Sequence, residues 1–99
     1  MSVAVIYNFR AVEGKAGELL TLLLQGRDFA ATVEGSEGFD VFQGLDDPNQ
    51  FVMVERWATA EARQAHFEKN VKASGVLDMA QALMVEPFRV GPEAYYLLR

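Results

Sequence analysis

The chain has 99 residues, of which 51% are hydrophobic, with a formal net charge of −5 and no cysteine. That length makes one domain, near the size at which burial against a partner adds useful stability, and its nine Lys and Arg form no run that could grip a phosphate backbone. Nucleic acid is therefore not an expected partner, and disulfides, thiolate metal sites and cysteine nucleophiles are excluded. The first residues show no basic leader, and no apolar run reaches membrane-spanning length. The expectation is a soluble cytoplasmic protein without membrane contact.

Ser2 to Arg10 reads as a strand, with Val3, Val5, Tyr7 and Phe9 facing one way and Ala4, Ile6, Asn8 and Arg10 the other. Both faces are apolar over most of their length, so both should be covered. The chain's own helices cover one face, and a second copy of the sheet is the simplest cover for the other. This predicts a homodimer. Glu13 to Gly17 forms a loop into a helix whose Ala16, Leu19, Leu20, Leu23, Ala30 and Val33 recur at helical spacing. Gly26 weakens that helix by about 1 kcal/mol relative to Ala, and a bend or break is expected there. Glu34 to Gly38 then ends it.

Phe39 to His66 is the centre of the sequence and carries its one Trp and its one His. A strand over Phe39 to Leu45 leads into the turn formers Asp46 to Gln50. Phe51 to Trp57 is the return strand, and Thr59 can cap a helix beginning at Ala60. On that helix Ala62, His66 and Lys69 or Asn70 share a face. Ser74-Gly75 stops it, and Val76, Leu77, Ala80 and Met84 suggest a further short helical stretch. Val85 to Val90 is the expected last strand, at an edge or bulge because of Pro87, before the apolar tail Tyr95 to Leu98. The order β-α-β-β-α-β around a central hairpin is the ferredoxin-like plan of the α+β class, with an antiparallel sheet. Doubled face to face, it becomes a dimeric α+β barrel.

Glu55-x-Trp57, Ala62 and Ala65-His66, preceded by Phe39-Asp40-Val41-Phe42, the Asp47-Pro48 turn and the early Gly14-Lys15, resemble the antibiotic biosynthesis monooxygenase family. The resemblance covers residues 3 to 90, nearly the whole chain. It implies a homodimer with one pocket per subunit, between helices and sheet. The activities it implies are cofactor-independent oxidation of phenols or quinols, haem degradation, or isomerisation of a phosphorylated sugar. Haem degraders of the family resemble one another in a strand Asn, a helix Trp and a His ten residues later. Asn8 matches the first, but His66 stands near the Trp position and Val76 at the last, against haem breakdown. Polyketide-tailoring members have an Asn where this chain has Met53, and many relatives have a second His where it has Val71.

Each candidate residue has a functional and a structural reading. His66 is a candidate general base, because neutral imidazole titrates near working pH, or a helix residue bonded to backbone or water. Asn8 is a candidate positioner of a substrate hydroxyl, or an intersubunit contact. Trp57, Tyr7 and Met53 are candidate pocket walls for a small aromatic or carbonyl substrate, or ordinary packing residues. Glu55 reads first as half of a structural ion pair with Arg10, Arg56, Arg89 or another cation. A Gly-rich phosphate loop is absent, and one His without Cys makes no transition-metal site unless several carboxylates converge on it, for which no pair has the spacing around His66. The leading expectation is a monooxygenase needing no cofactor or metal, which oxidises a small phenol or quinol to a quinone with dioxygen. An isomerase of a small carbonyl compound, phosphorylated or not, and a non-catalytic ligand-binding barrel are the alternatives.

Overall fold

The alternation of apolar residues along Val3–Arg10 places this strand, β1, through the middle of a sheet. The computed structural model describes residues 1–85, 93–96 and 98. After β1 come α1 (Ala16–Ala30), β2 (Ser36–Gln43), β3 (Gln50–Trp57) and α2 (Ala60–His66). A π-helical stretch, Phe67–Lys72, continues α2, followed by α3 (Val76–Gln81) and β4 (Glu93–Tyr96). The four strands form one antiparallel sheet in the order β2-β3-β1-β4. This is the ferredoxin-like order, and within one chain the sheet is open.

β1 and β3 are in register from Val3 opposite Trp57 to Arg10 opposite Gln50. Because strand side chains alternate, this register puts Val3, Val5, Tyr7 and Phe9 with Phe51, Met53, Glu55 and Trp57 on one face, all of them buried. The helices lie on that face, where Leu19 and Leu23 of α1 complete the core. Ile6, Asn8, Val52, Val54, Phe42 and Tyr95 occupy the opposite face, which no helix among the described residues covers.

Three local features set the site. The Thr59 hydroxyl accepts from the Ala62 backbone N–H at 3.1 Å, which caps α2 at the position expected. Gly35 adopts φ +91°, and a Cβ there would lie 2.7 Å from Ala62 Cβ, so only glycine lets α2 settle beside Trp57. In the π-helical stretch the Ala73 N–H bonds back to Glu68 O rather than to residue 69, one residue further back than an α-helix allows.

One expectation is corrected. α1 runs unbroken through Gly26, because Leu19 and Leu23 before it pack into the core and Ala30 after it is buried, and tertiary burial outweighs one weak position. The expected strand from Val85 lies outside the described residues apart from Val85 itself, which is a bend. The strand that fills the free edge of β1 is Glu93–Tyr96, part of the segment read as an apolar tail.

Candidate functional site

Between sheet and helices lies a cavity of about 80 Å³, partly open to solvent. Tyr7, Phe9, Phe39, Met53 and Glu55 form its floor on the sheet. Leu22, Leu23 and Gly26 of α1 wall one side, and His66, Val71, Val76, Leu77 and Ala80 the other. Among the described residues the lining is almost wholly apolar, and its titratable groups are Tyr7, Glu55 and His66. Gly26 has open space where a Cβ would be, so the glycine that weakens the helix also keeps the cavity clear.

Glu55 is 3% exposed, which is unusual for a carboxylate and is tolerated only with partners. The Trp57 indole N–H donates to Glu55 Oε1 at 2.9 Å. Tyr7, its diagonal neighbour on the same sheet face, directs its hydroxyl to the same carboxylate. Burial pushes the Glu55 pKa up; the indole bond, the charge of Arg63 and the Tyr7 hydroxyl bond oppose this without cancelling it. Of the cations expected as its partner, Arg10 pairs with Asp47 and Arg56 with Asp40, while Arg89 lies outside the described residues.

The cation that matters is Arg63 of α2, which sequence reasoning passed over. Its Nη2 donates to the Tyr7 hydroxyl at 3.4 Å, its guanidinium carbon sits 4.9 Å from the Phe67 ring centroid, and its buried Nε has no hydrogen-bond partner among the described residues. Burial, then the Glu55 charge, holds the Tyr7 hydroxyl protonated far above the usual phenol range. The spacing of Arg63 three residues before His66 on one helix face was the available signal.

His66 is 5% exposed. Its ring lies against Trp57, centroids 4.9 Å apart and planes at 34°, and against Phe29 at 6.5 Å. Burial, then Arg63, lowers its pKa, so the imidazole is neutral at pH 7. Asn70 Nδ2 lies 3.1 Å from His66 Nδ1. An amide nitrogen has only protons to offer, so in this arrangement Nδ1 accepts and the ring proton sits on Nε2.

The structure thus brings His66, Tyr7 and Met53 to one cavity. Trp57 is fully buried behind His66 and does not line it. Asn8 is exposed on the opposite face of the sheet, paired with Val52, so within one subunit it cannot act beside His66 as expected. Strand alternation decides this, since Asn8 follows the cavity-facing Tyr7. Among the described residues no cluster of three or more His, Cys, Asp or Glu could hold a metal ion. No helix among them is long and apolar enough to cross a membrane.

The sequence model of a family described as antibiotic biosynthesis monooxygenase matches residues 2–71. No curated protein matches the chain in sequence. Among solved structures, Rv0793 of Mycobacterium tuberculosis superposes with a TM-score of 0.86 at 19% identity, over 100% of this chain and 97% of that one. A proposed antibiotic biosynthesis monooxygenase from Nitrosomonas europaea gives 0.84 at 23% identity over 100% of both chains. Another from Deinococcus radiodurans gives 0.83 at 19% identity, over 100% of this chain and 94% of that one. At these identities the likeness carries the fold.

Proposed function

The chain belongs to the antibiotic biosynthesis monooxygenase family, and we propose that it is a cofactor-independent monooxygenase oxidising a small phenol or quinol to a quinone with dioxygen. One observation carries the reading: a nearly apolar cavity with two buried titratable groups, Glu55 and His66, on its wall. Removing the hydroxyl proton makes the ring electron-rich enough to reduce dioxygen itself. For a phenol with an unsubstituted ring carbon, one oxygen atom enters that carbon and the other leaves as water. The substrate supplies both electrons, so the balance needs no external reductant. Apolar walls hold the ring, admit dioxygen and strengthen every electrostatic contact within.

At about 80 Å³ the cavity is smaller than the ~150 Å³ that admits benzene in an engineered protein core. A quinol therefore uses the open side, or a shift of α3 and the π-helical stretch, to enter. Catalysis by a homodimer is part of the same reading, supported by the uncovered sheet face around Ile6, Val54 and Phe42.

The test is oxygen uptake by metal-stripped protein with a panel of small quinols and phenols, autoxidation subtracted, with wild type beside His66→Ala. Saturable uptake that collapses in the variant supports the reading. Absence of uptake above background, with turnover of a carbonyl compound under anaerobic conditions, replaces it by the isomerase.

A further inference from the structure

We propose that Glu55, rather than His66, is the base of this cavity: its carboxylate takes the proton of a neutral substrate hydroxyl, and the His66 Nε2–H hydrogen-bonds the oxyanion left behind. The assignment rests on the monooxygenase reading above and divides its proton chemistry between the two groups.

Three observations lead to it. First, among the described residues the hydrogen bond that His66 makes is at Nδ1, where it accepts from Asn70. Nε2 then carries the proton and is the nitrogen left for a ligand, and a ring nitrogen that already bears a proton donates. Second, Glu55 is on the cavity floor with two donors fixed on it, the Trp57 indole at 2.9 Å and the Tyr7 hydroxyl, so a carboxylate with four lone-pair sites retains capacity for a substrate O–H. Third, among the described residues the charged and titratable groups around it are few. Tyr7 faces it from β1 and Arg63 from α2, with His66 across the cavity, while α1 and α3 present only apolar residues such as Leu23 and Leu77. Burial among these raises the Glu55 pKa toward the operating pH, where a base is most effective.

In the proton transfer the substrate O–H bond breaks with its electron pair staying on oxygen, and an O–H bond forms on Glu55. Nothing is oxidised in this step. The same arrangement selects the substrate. A neutral hydroxyl suits a buried carboxylate, whereas a carboxylate- or phosphate-bearing ligand would bring a second negative charge against Glu55 in an apolar cavity. Small uncharged phenols are the class that fits.

A chromogenic phenol, 4-nitrophenol, tests the proton's destination without turnover. At a pH where the free phenol is mostly un-ionised, wild type is expected to bind it with the visible phenolate band, and Glu55→Gln to bind it without that band. His66→Gln should keep the band and bind more weakly. The Gln variant preserves an oxygen for the Trp57 indole, and its fold is checked by circular dichroism. In oxygen uptake, Glu55→Gln is expected to lose about 10²-fold in rate. A band that persists in Glu55→Gln and vanishes in His66→Gln overturns the assignment while leaving the monooxygenase intact. Neither uptake nor phenol binding by wild type removes the monooxygenase reading, and the assignment with it. Should the Gln variant not fold, the limb of wild-type rate rising with pH decides. A carboxyl limb stays nearly fixed with temperature, and an imidazole limb that shifts overturns the proposal.

Discussion

Trp57 donates its indole N–H to the buried Glu55 carboxylate at 2.9 Å while its ring lies 4.9 Å from that of His66. One side chain thus contacts both Glu55 and His66 without lining the cavity that they share. Trp57→Phe keeps a ring beside His66 but removes the donor. Losing a hydrogen bond to a buried charge is expected to cost about 1.5–3 kcal/mol at pH 7. The loss should be smaller at pH 4, where a protonated carboxyl depends less on the donor. Urea unfolding at the two pH values checks both expectations.

Glu55 and His66 impose opposite pH dependences on stability. The folded pKa of Glu55 is raised, so the folded state holds the proton more tightly than the unfolded chain. Its contribution is present below about pH 4.3 and is lost as pH rises through the folded value. His66 has a lowered folded pKa, so the unfolded chain takes the proton first. Stability therefore falls as pH drops below about 6.5 toward the lowered value. The two slopes oppose one another where they overlap. Relative to wild type, Glu55→Gln should make stability rise more steeply with pH, and His66→Gln should make it fall. Chemical denaturation between pH 4 and 7 measures the difference curves; parallel curves for all three proteins would contradict both shifts.

Gly26 separates helix stability from cavity space. Among the described residues no atom outside its own helix turn lies within 4 Å of where its Cβ would be, so Gly26→Ala fits and should stabilise the protein by about 0.4–1 kcal/mol. Gly26→Phe carries a ring into the cavity instead and should abolish phenol binding with the fold intact. Thermal melts and ligand titration distinguish the two effects.

Gly35→Ala should do the reverse. A side chain at φ +91° is strained, and its Cβ would meet Ala62 Cβ at 2.7 Å. A destabilisation of roughly 1–3 kcal/mol is expected, together with a change in Trp57 fluorescence as α2 is pushed away.

The uncovered sheet face predicts a dimer at micromolar concentration in sedimentation equilibrium. Ile6 is 37% and Phe42 54% exposed in the single chain, and placing a charge at either, as in Ile6→Asp, should shift the mass toward the monomer. A wild type that stays monomeric over that range would count against the closed barrel.

The strands and their pairing were legible because local physics sets them. Alternation along Val3 to Phe9 and Phe51 to Trp57 fixes a buried face, and Asp47, whose side chain accepts from the Asn49 N–H at 3.1 Å, turns the hairpin. The same alternation already separated Asn8 from Tyr7, and the family resemblance, not the strand pattern, had brought Asn8 to the site. Glu55 was also visible as a carboxylate alternating with Met53 and Trp57 on the apolar face. Its ion-pair reading left the cation open beyond Arg10, Arg56 and Arg89, and the charge that bears on it is that of Arg63, which α2 brings across from another part of the chain.

What the sequence determined by itself is the order of elements, the cap at Thr59 and the two-faced sheet, each a matter of near neighbours. The tertiary structure decided that Arg63 reaches Tyr7, 56 residues earlier in the chain, that α1 passes Gly26 unbroken, and that Glu93–Tyr96 closes the sheet edge. It also decided which nitrogen of His66 Asn70 occupies, through a π-helical stretch that no local pattern announced. These depend on where a helix lands on the sheet, and burial summed over the whole core sets that position rather than the preference of any one segment.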